Sequence, residues 1–161
     1  MKVWCIGVAS LALAACADYG PRQVRPGQSL DEVVQVMGAP TGRYPLPDGA
    51  ARIEYARGPQ GRNTYMIDLD AAGRVQHWAQ VLDPWYFAQV SDGMTPEQLL
   101  RLLGRPAERA GEWQHRETWS WRYENNDCLW FRVTLAADGH VINGGATMPD
   151  PRCDPHDAAR D

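Results

Sequence analysis

The sequence predicts an α+β fold: two tandem repeats, each a short helix packed on a three-stranded antiparallel meander. Three observations carry the prediction. A helix with both ends written in occurs twice, as GQSLDEVVQVMGAP over residues 27–40 and as GMTPEQLLRLLGRP over residues 93–106. The two copies keep one offset without a gap, 66 residues (93 − 27). It also links Gly38 to Gly104, Pro40 to Pro106, Arg43 to Arg109, Tyr55 to Trp121, Leu69 to Leu135, Gly73 to Gly139 and Val75 to Val141. A fixed period is the mark of a repeated structural unit. After each helix come segments in which apolar residues alternate, the period of a half-buried strand.

The first helix has Ser29 as N-cap and Glu32 three residues on, the capping-box spacing. Leu30, Val33, Val34 and Met37 form its apolar stripe. Gly38 closes it in a conformation open to glycine, and Pro40 stops it continuing. In the second helix, Thr95 and Gln98 form the box and Pro96 takes the first helical position, where its missing N–H is not needed. Leu99, Leu100 and Leu103 make the stripe, and Gly104 and Pro106 end it. Residues 42–49, with Pro45 and Pro47, read as a loop. Strands follow over residues 52–57 (Ile53 and Tyr55 on one face), 63–70 (Tyr65, Ile67, Leu69) and 74–82 (Val75, Ala79, Val81), with a turn at residues 70–73. In the second copy, Trp119, Trp121 and Tyr123 share a face. Leu129, Phe131, Val133 and Leu135 share the next, and Val141 begins the last strand. The resulting division is a signal segment at 1–15, a tether at 16–26, repeat one at 24–83, a linker at 84–89, repeat two at 90–149 and a tail at 150–161. Trp85, Tyr86 and Phe87 make the linker too apolar to be free, so it is expected to pack between the repeats. The tail lacks periodicity and is expected to be disordered after Cys153.

A repeat of this length holds only a small core, so the copies are expected to lean on each other. The formal charge of the 161 residues is −4, and Lys2 is the only lysine. An acidic balance argues against non-specific nucleic-acid binding. A chain that loses Lys2 with its signal has no lysine for a Schiff base or a phosphate loop.

Residues 1–15 carry one positive charge, an apolar run and a small-residue end, a secretory signal pattern too short to span a membrane. The sequence Leu13-Ala14-Ala15-Cys16 resembles the lipobox of bacterial lipoproteins. That resemblance implies that Cys16 becomes the first residue and carries a diacylglyceryl thioether and an N-acyl chain such as palmitate. Several acyl chains on one residue anchor a protein stably. Ala17, in place of an aspartate after the cysteine, points to the outer membrane. Cys128 and Cys153 then remain as one pair in an oxidising compartment, and a disulfide between them is the expectation. The rival, a metal pair with His140 or His156, matches no standard zinc spacing.

The helix pattern G-x-[ST]-x-x-[EQ]-[VL], its glycine–proline exit, the aromatic strand and the hairpin turn together resemble the small repeat of the SmpA/OmlA (BamE-like) lipoproteins. That repeat is shared in outline with the β-lactamase inhibitor protein. The matching residues are Gly27, Ser29, Val33, Gly38, Pro40, Tyr55, Asp70 and Gly73, then Gly93, Thr95, Leu99, Gly104, Pro106, Trp121, Asp138 and Gly139. BamE-like proteins carry one repeat and this chain two, an arrangement closer to the inhibitor protein, which pairs two repeats into a concave sheet surface. The resemblance implies a periplasm-facing, lipid-anchored fold whose matching residues cap, turn or pack.

No catalytic residues, metal ligands or cofactor are expected. His77, His115, His140 and His156 include no pair four apart, and Asp68 and Asp70 read as solvated. The feature in excess of packing needs is aromatic: Trp113, Trp119, Trp121, Tyr123 and Trp130, interleaved with Arg116 and Arg122. These residue types anchor interfaces. Alternation cannot bury both Trp130 and Phe131 on one face, so either another element covers one of them or one is exposed. Core filling and a binding surface both remain open. The expected function is a non-catalytic outer-membrane lipoprotein acting through protein–protein contacts in envelope assembly or maintenance, with a periplasmic or outer-membrane protein as partner. The alternative is an inhibitor-like or ligand-binding module that grips an enzyme or glycan with its aromatic-rich sheet.

Overall fold

Both capping boxes form. In α1 (Leu30–Met37), the Glu32 amide donates to Ser29 Oγ at 3.3 Å and the Ser29 amide to Glu32 Oε2 at 2.7 Å. In α3 (Pro96–Leu103), the Gln98 amide donates to Thr95 Oγ1 and the Thr95 amide to Gln98 Oε1. Each box satisfies two helix-end donors. These geometries come from a computed structural model of the chain, which describes residues 20–57 and 62–153. Cys16 and the signal segment lie outside the described residues, as do residues 154–161 of the tail.

Between and after the helices run β1 (Gly42–Pro45), β2 (Ala51–Arg57), β3 (Asn63–Leu69) and β4 (Val75–Gln80). A short helix α2 (Pro84–Phe87) follows, and beyond α3 come β5 (Glu108–Glu112), β6 (Arg116–Arg122), β7 (Leu129–Leu135) and β8 (Val141–Pro149). The fold is mixed α and β with two antiparallel sheets, β1-β2-β3-β4 and β5-β6-β7-β8. Each sheet therefore has four strands, not the three expected. The additional strands are β1 and β5, whose sequences GRYP and ERAGE carry no apolar alternation. Both are edge strands, where a proline or a charged sequence is tolerated because only one side of the ladder needs pairing.

Equivalent positions of the two halves adopt the same backbone. Gly38 and Gly104 have φ 76°, ψ −168° and φ 77°, ψ −169°, a region that disfavours any side chain. The two carbonyls they present are bound in the same way: Gly38 accepts from Tyr55 Oη at 3.1 Å and Gly104 from Trp121 Nε1 at 3.0 Å. Asp48 and Gln114 both turn with positive φ, 57° and 62°.

The elements stack in the order α1, first sheet, α3, second sheet. Val33 and Met37 of α1 bury against Ile53, Tyr55, Ile67, Leu69 and Val75. Val24 joins that core, so the segment read as a tether is fastened to the first sheet at that residue. Leu99 and Leu103 of α3 bury against Trp119, Trp121, Phe131, Val133 and Leu135. Of the linker aromatics, Phe87 packs into the second core, stacking on Phe131 at 4.2 Å and meeting Tyr123 edge-on at 5.0 Å, while Trp85 is 68 % exposed. Burying each such ring stabilises the fold by roughly 1.5–3 kcal/mol.

The far face of the first sheet carries the exit of α3. Glu54, fully buried, accepts from Thr41 Oγ1 (2.9 Å), Tyr44 Oη and the Arg105 amide (3.1 Å). Burial, then that carboxylate, push the Tyr44 phenol well above its ordinary value. Arg52 donates to the Arg101 carbonyl at 2.9 Å and holds Asp68 in a two-point pair at 2.6 and 2.7 Å. Asp68 is thus the partner that holds Arg52 in place within the first sheet, not a solvated hairpin residue, and Arg52 makes the contact to the other half. A positive side chain at a helix C-terminus also complements the helix dipole.

Candidate interaction surface

The second sheet has the same two faces, and among the described residues no helix covers its outer one as the exit of α3 covers that of the first. Alternation sends Trp119 and Trp121 inward to α3 and sends Thr118, Ser120 and Arg122 of β6, with Trp130, Arg132 and Thr134 of β7, outward. Trp130 is nevertheless only 5 % exposed. Its ring lies between two guanidiniums, Arg122 and Arg132, each 5.1 Å from the ring centre. The arginines are placed by register, since Arg122 is opposite Trp130 across the β6–β7 ladder and Arg132 is two residues along β7. Cation–π contact of this kind contributes about 0.5–2 kcal/mol.

Arg122 is itself buried, and Asp150 neutralises it through bonds of 2.6 and 3.3 Å, with Glu108 further off at 3.6 Å. Burial alone would raise the Asp150 carboxyl. The Arg122 side chain and the Arg152 amide overcome that and hold it below the ordinary carboxylate value. Asp150 is kept there by the chain after β8: its amide donates to the Cys128 carbonyl, and Cys128 and Cys153 are within bonding distance, their Cα atoms 6.3 Å apart. That Cα separation is one a disulfide spans.

At the other end of the outer face, between the β5–β6 turn and β8, is an open cleft of about 380 Å³. Its floor is Thr118, Arg132 and Thr134; Glu112, Trp113 and Arg116 form one wall, and Asn143, Ala146 and Met148 part of the other. Trp113 is 83 % exposed and Met148 45 %. The bulge between Val133 and Thr134 sets the second wall: Asn143 and Gly144 stand out of register with positive φ. Gly145 then returns over Phe131, where an added Cβ would come within 2.6 Å of ring atom Cε2.

The aromatic group read from the sequence is therefore divided. Trp119, Trp121 and Tyr123 lie in the interior with α3 and Phe87. Trp130 and Arg122 form the covered half of the outer face, while Trp113 and Arg116 border the open cleft. Arg132 and Met148, which sequence reasoning passed over, belong to that cleft. The available signal was the strand period, which places Arg132 on the Trp130 face.

No protein-family model and no curated protein sequence matches the chain. One solved structure, provisionally described as an osmotically inducible lipoprotein OsmE, is similar at 23 % identity over 37 % of this chain and 70 % of that one, with a TM-score of 0.33. The cleft geometry and the chain's own residues carry the functional reading below.

Among the described residues no group of three or more His, Cys, Asp or Glu is placed to hold a metal ion. His77 pairs with Asp68 at 3.3 Å and His140 with Asp138 at 3.4 Å. No helix among the described residues is long and apolar enough to cross a membrane.

Proposed function

We propose that this chain is a non-catalytic, lipid-anchored envelope protein, two copies of one module held at the periplasmic side of the outer membrane through Cys16, that works by protein–protein contact in envelope assembly or maintenance. The observation that carries this reading is the cleft on the outer face of the second sheet, where an exposed indole, an exposed thioether and two guanidiniums converge on a polar floor. Tryptophan and arginine are among the side chains most enriched at binding hot spots, and methionine is enriched at interfaces. The anchor rests on the sequence before Cys16, and several acyl chains would confine the cleft to within a short reach of the bilayer.

A grip on an enzyme by the paired sheets is less well supported. The outer face of the first sheet is occupied by Arg101 and Arg105 of the α3 exit. Of the second sheet's large aromatics, Trp119, Trp121 and Phe131 pack in the core with α3, and Trp130 is covered by arginines.

The test is a photo-crosslinking amino acid at Trp113 in the living cell, with Trp78 as a control position. A discrete adduct from position 113, lost when Cys16→Ser releases the protein from the membrane fraction, supports the reading. Absence of any adduct at 113 refutes it.

A further inference from the structure

The cleft has more cationic donors than its own residues use. Arg132 Nε is buried with no hydrogen-bond partner. Its Nη2 is ion-paired with Glu112 at 3.6 Å, a separation longer than a hydrogen bond, and its Nη1 has a sulfur neighbour, Met148, at 4.0 Å. Arg116, on the same wall, makes no side-chain hydrogen bond among the described residues. The single carboxylate of the lining, Glu112, already accepts from Thr118 Oγ1 at 3.0 Å. Two guanidiniums against one engaged carboxylate leave the cleft positive on a chain whose formal charge is −4.

We propose that the cleft binds an acidic peptide segment: a carboxylate side chain of the partner seats between Arg116 and Arg132, and the apolar residue next to it packs against Trp113 and Met148. This rests on the contact reading above and adds the chemistry of the partner. Guanidinium groups match the planar, two-oxygen geometry of a carboxylate and bind it more strongly than a neutral acceptor. A glycan fits less well. Sugar hydroxyls would be served by free carboxylate and amide groups beside the indole, and the lining here is dominated by donors. β8 favours an extended chain: it is the sheet's edge strand, Ala146 and Met148 line the cleft, and residues 145–149 are exposed along it. A volume of about 380 Å³ suits one anchoring side chain with its neighbour.

The experiment is NMR titration of the full lipidated chain in detergent, reading the Trp113 indole and the arginine Nε–H resonances. The probes are an acetylated, amidated pentapeptide alternating leucine and glutamate, its leucine–glutamine counterpart, and chitotetraose. The glutamate peptide should shift Trp113, Arg116 and Arg132 together, and the glutamine peptide should bind about tenfold more weakly, the loss of one charge-assisted bond. Arg116→Gln should weaken the glutamate peptide by about the same factor with an unchanged melting temperature, since that side chain is exposed. Arg132→Gln, which also touches Trp130, is read only beside its melting temperature. Equal affinity for the two peptides, no shift at millimolar glutamate peptide, or a shift at these residues with chitotetraose alone would each overturn the proposal. An adduct at position 113 alongside a silent glutamate peptide would sink the carboxylate partner and leave the contact reading standing.

Discussion

Gly38→Ala and Gly104→Ala form a matched pair that separates the strain of a helix end from the packing between the halves. The two glycines share one backbone conformation to within a degree. An alanine at either position carries the same strain, about 1–3 kcal/mol for a residue held in that region. Their surroundings differ. A Cβ at Gly38 meets nothing within 4 Å, whereas at Gly104 it meets Thr64 Cγ2 at 2.9 Å and Glu54 Oε2 at 3.0 Å. Neither neighbour can yield easily: Thr64 is buried, and Glu54 is fixed by Thr41, Tyr44 and the Arg105 amide. Overpacking of this kind adds about 1–3 kcal/mol. Disturbing a hydrogen bond to a buried carboxylate adds about 1.5–3 kcal/mol if the Arg105 contact breaks. Gly104→Ala should therefore be about 2–4 kcal/mol worse than Gly38→Ala. Urea denaturation followed by tryptophan fluorescence measures both, with m-values compared so that the same transition is read. Equal losses, within about 0.5 kcal/mol, would refute the seating of the α3 exit on the first sheet.

Three further outcomes follow from the outer face and the β8 bulge. Asp150→Asn should destabilise by about 2–3 kcal/mol at neutral pH, because Arg122 stays buried with a neutral partner. The Asp150 carboxyl sits below the ordinary aspartate value of 3.8. Its contribution is thus present above that pH and lost as pH falls through the lowered folded value, so the variant should show a flatter acid limb in a pH series of melting curves. Trp130→Ala should cost about 3–5 kcal/mol, while Trp113→Ala should stay within about 0.5 kcal/mol, read by the same melts. Gly145→Ala should destabilise by about 2–3 kcal/mol, since the Phe131 ring it would strike is pinned by its stack on Phe87; a neutral result would refute that packing.

The helix ends and hairpin turns were legible because their determinants are local. Ser29 with Glu32, Thr95 with Gln98, and the glycines at 38, 73, 104 and 139 act within a few residues of themselves. β1 and β5 were not legible because an edge strand can form without an apolar face, held instead by side chains such as Tyr44 reaching Glu54. Glu54 and Asp68 look solvated in sequence, being the polar half of an alternation. Glu54 is buried where the exit of α3 from the other half arrives on it, and Asp68 is paired by Arg52, its neighbour across the β2–β3 ladder; spacing along one strand announces neither. Trp130 posed the same difficulty in reverse. Its cover comes from Arg132, two residues along β7, and from Arg122 across the ladder, which Asp150 beyond β8 holds in place; the last two are set by register and not by spacing along one strand.

The α1–sheet–α3–sheet order leaves the outer face of the second sheet in the position that α3 takes on the first. A third module added after Pro149 would have to place its helix exit where Glu54 and Thr64 receive that of α3. At those positions the second sheet has Ser120 and Trp130, the latter sealed by Arg122, Arg132 and Asp150. The seat that the α3 exit takes on the first sheet is thus already filled on the second by its own side chains, and a helix exit could dock there only by displacing Arg122 from Asp150.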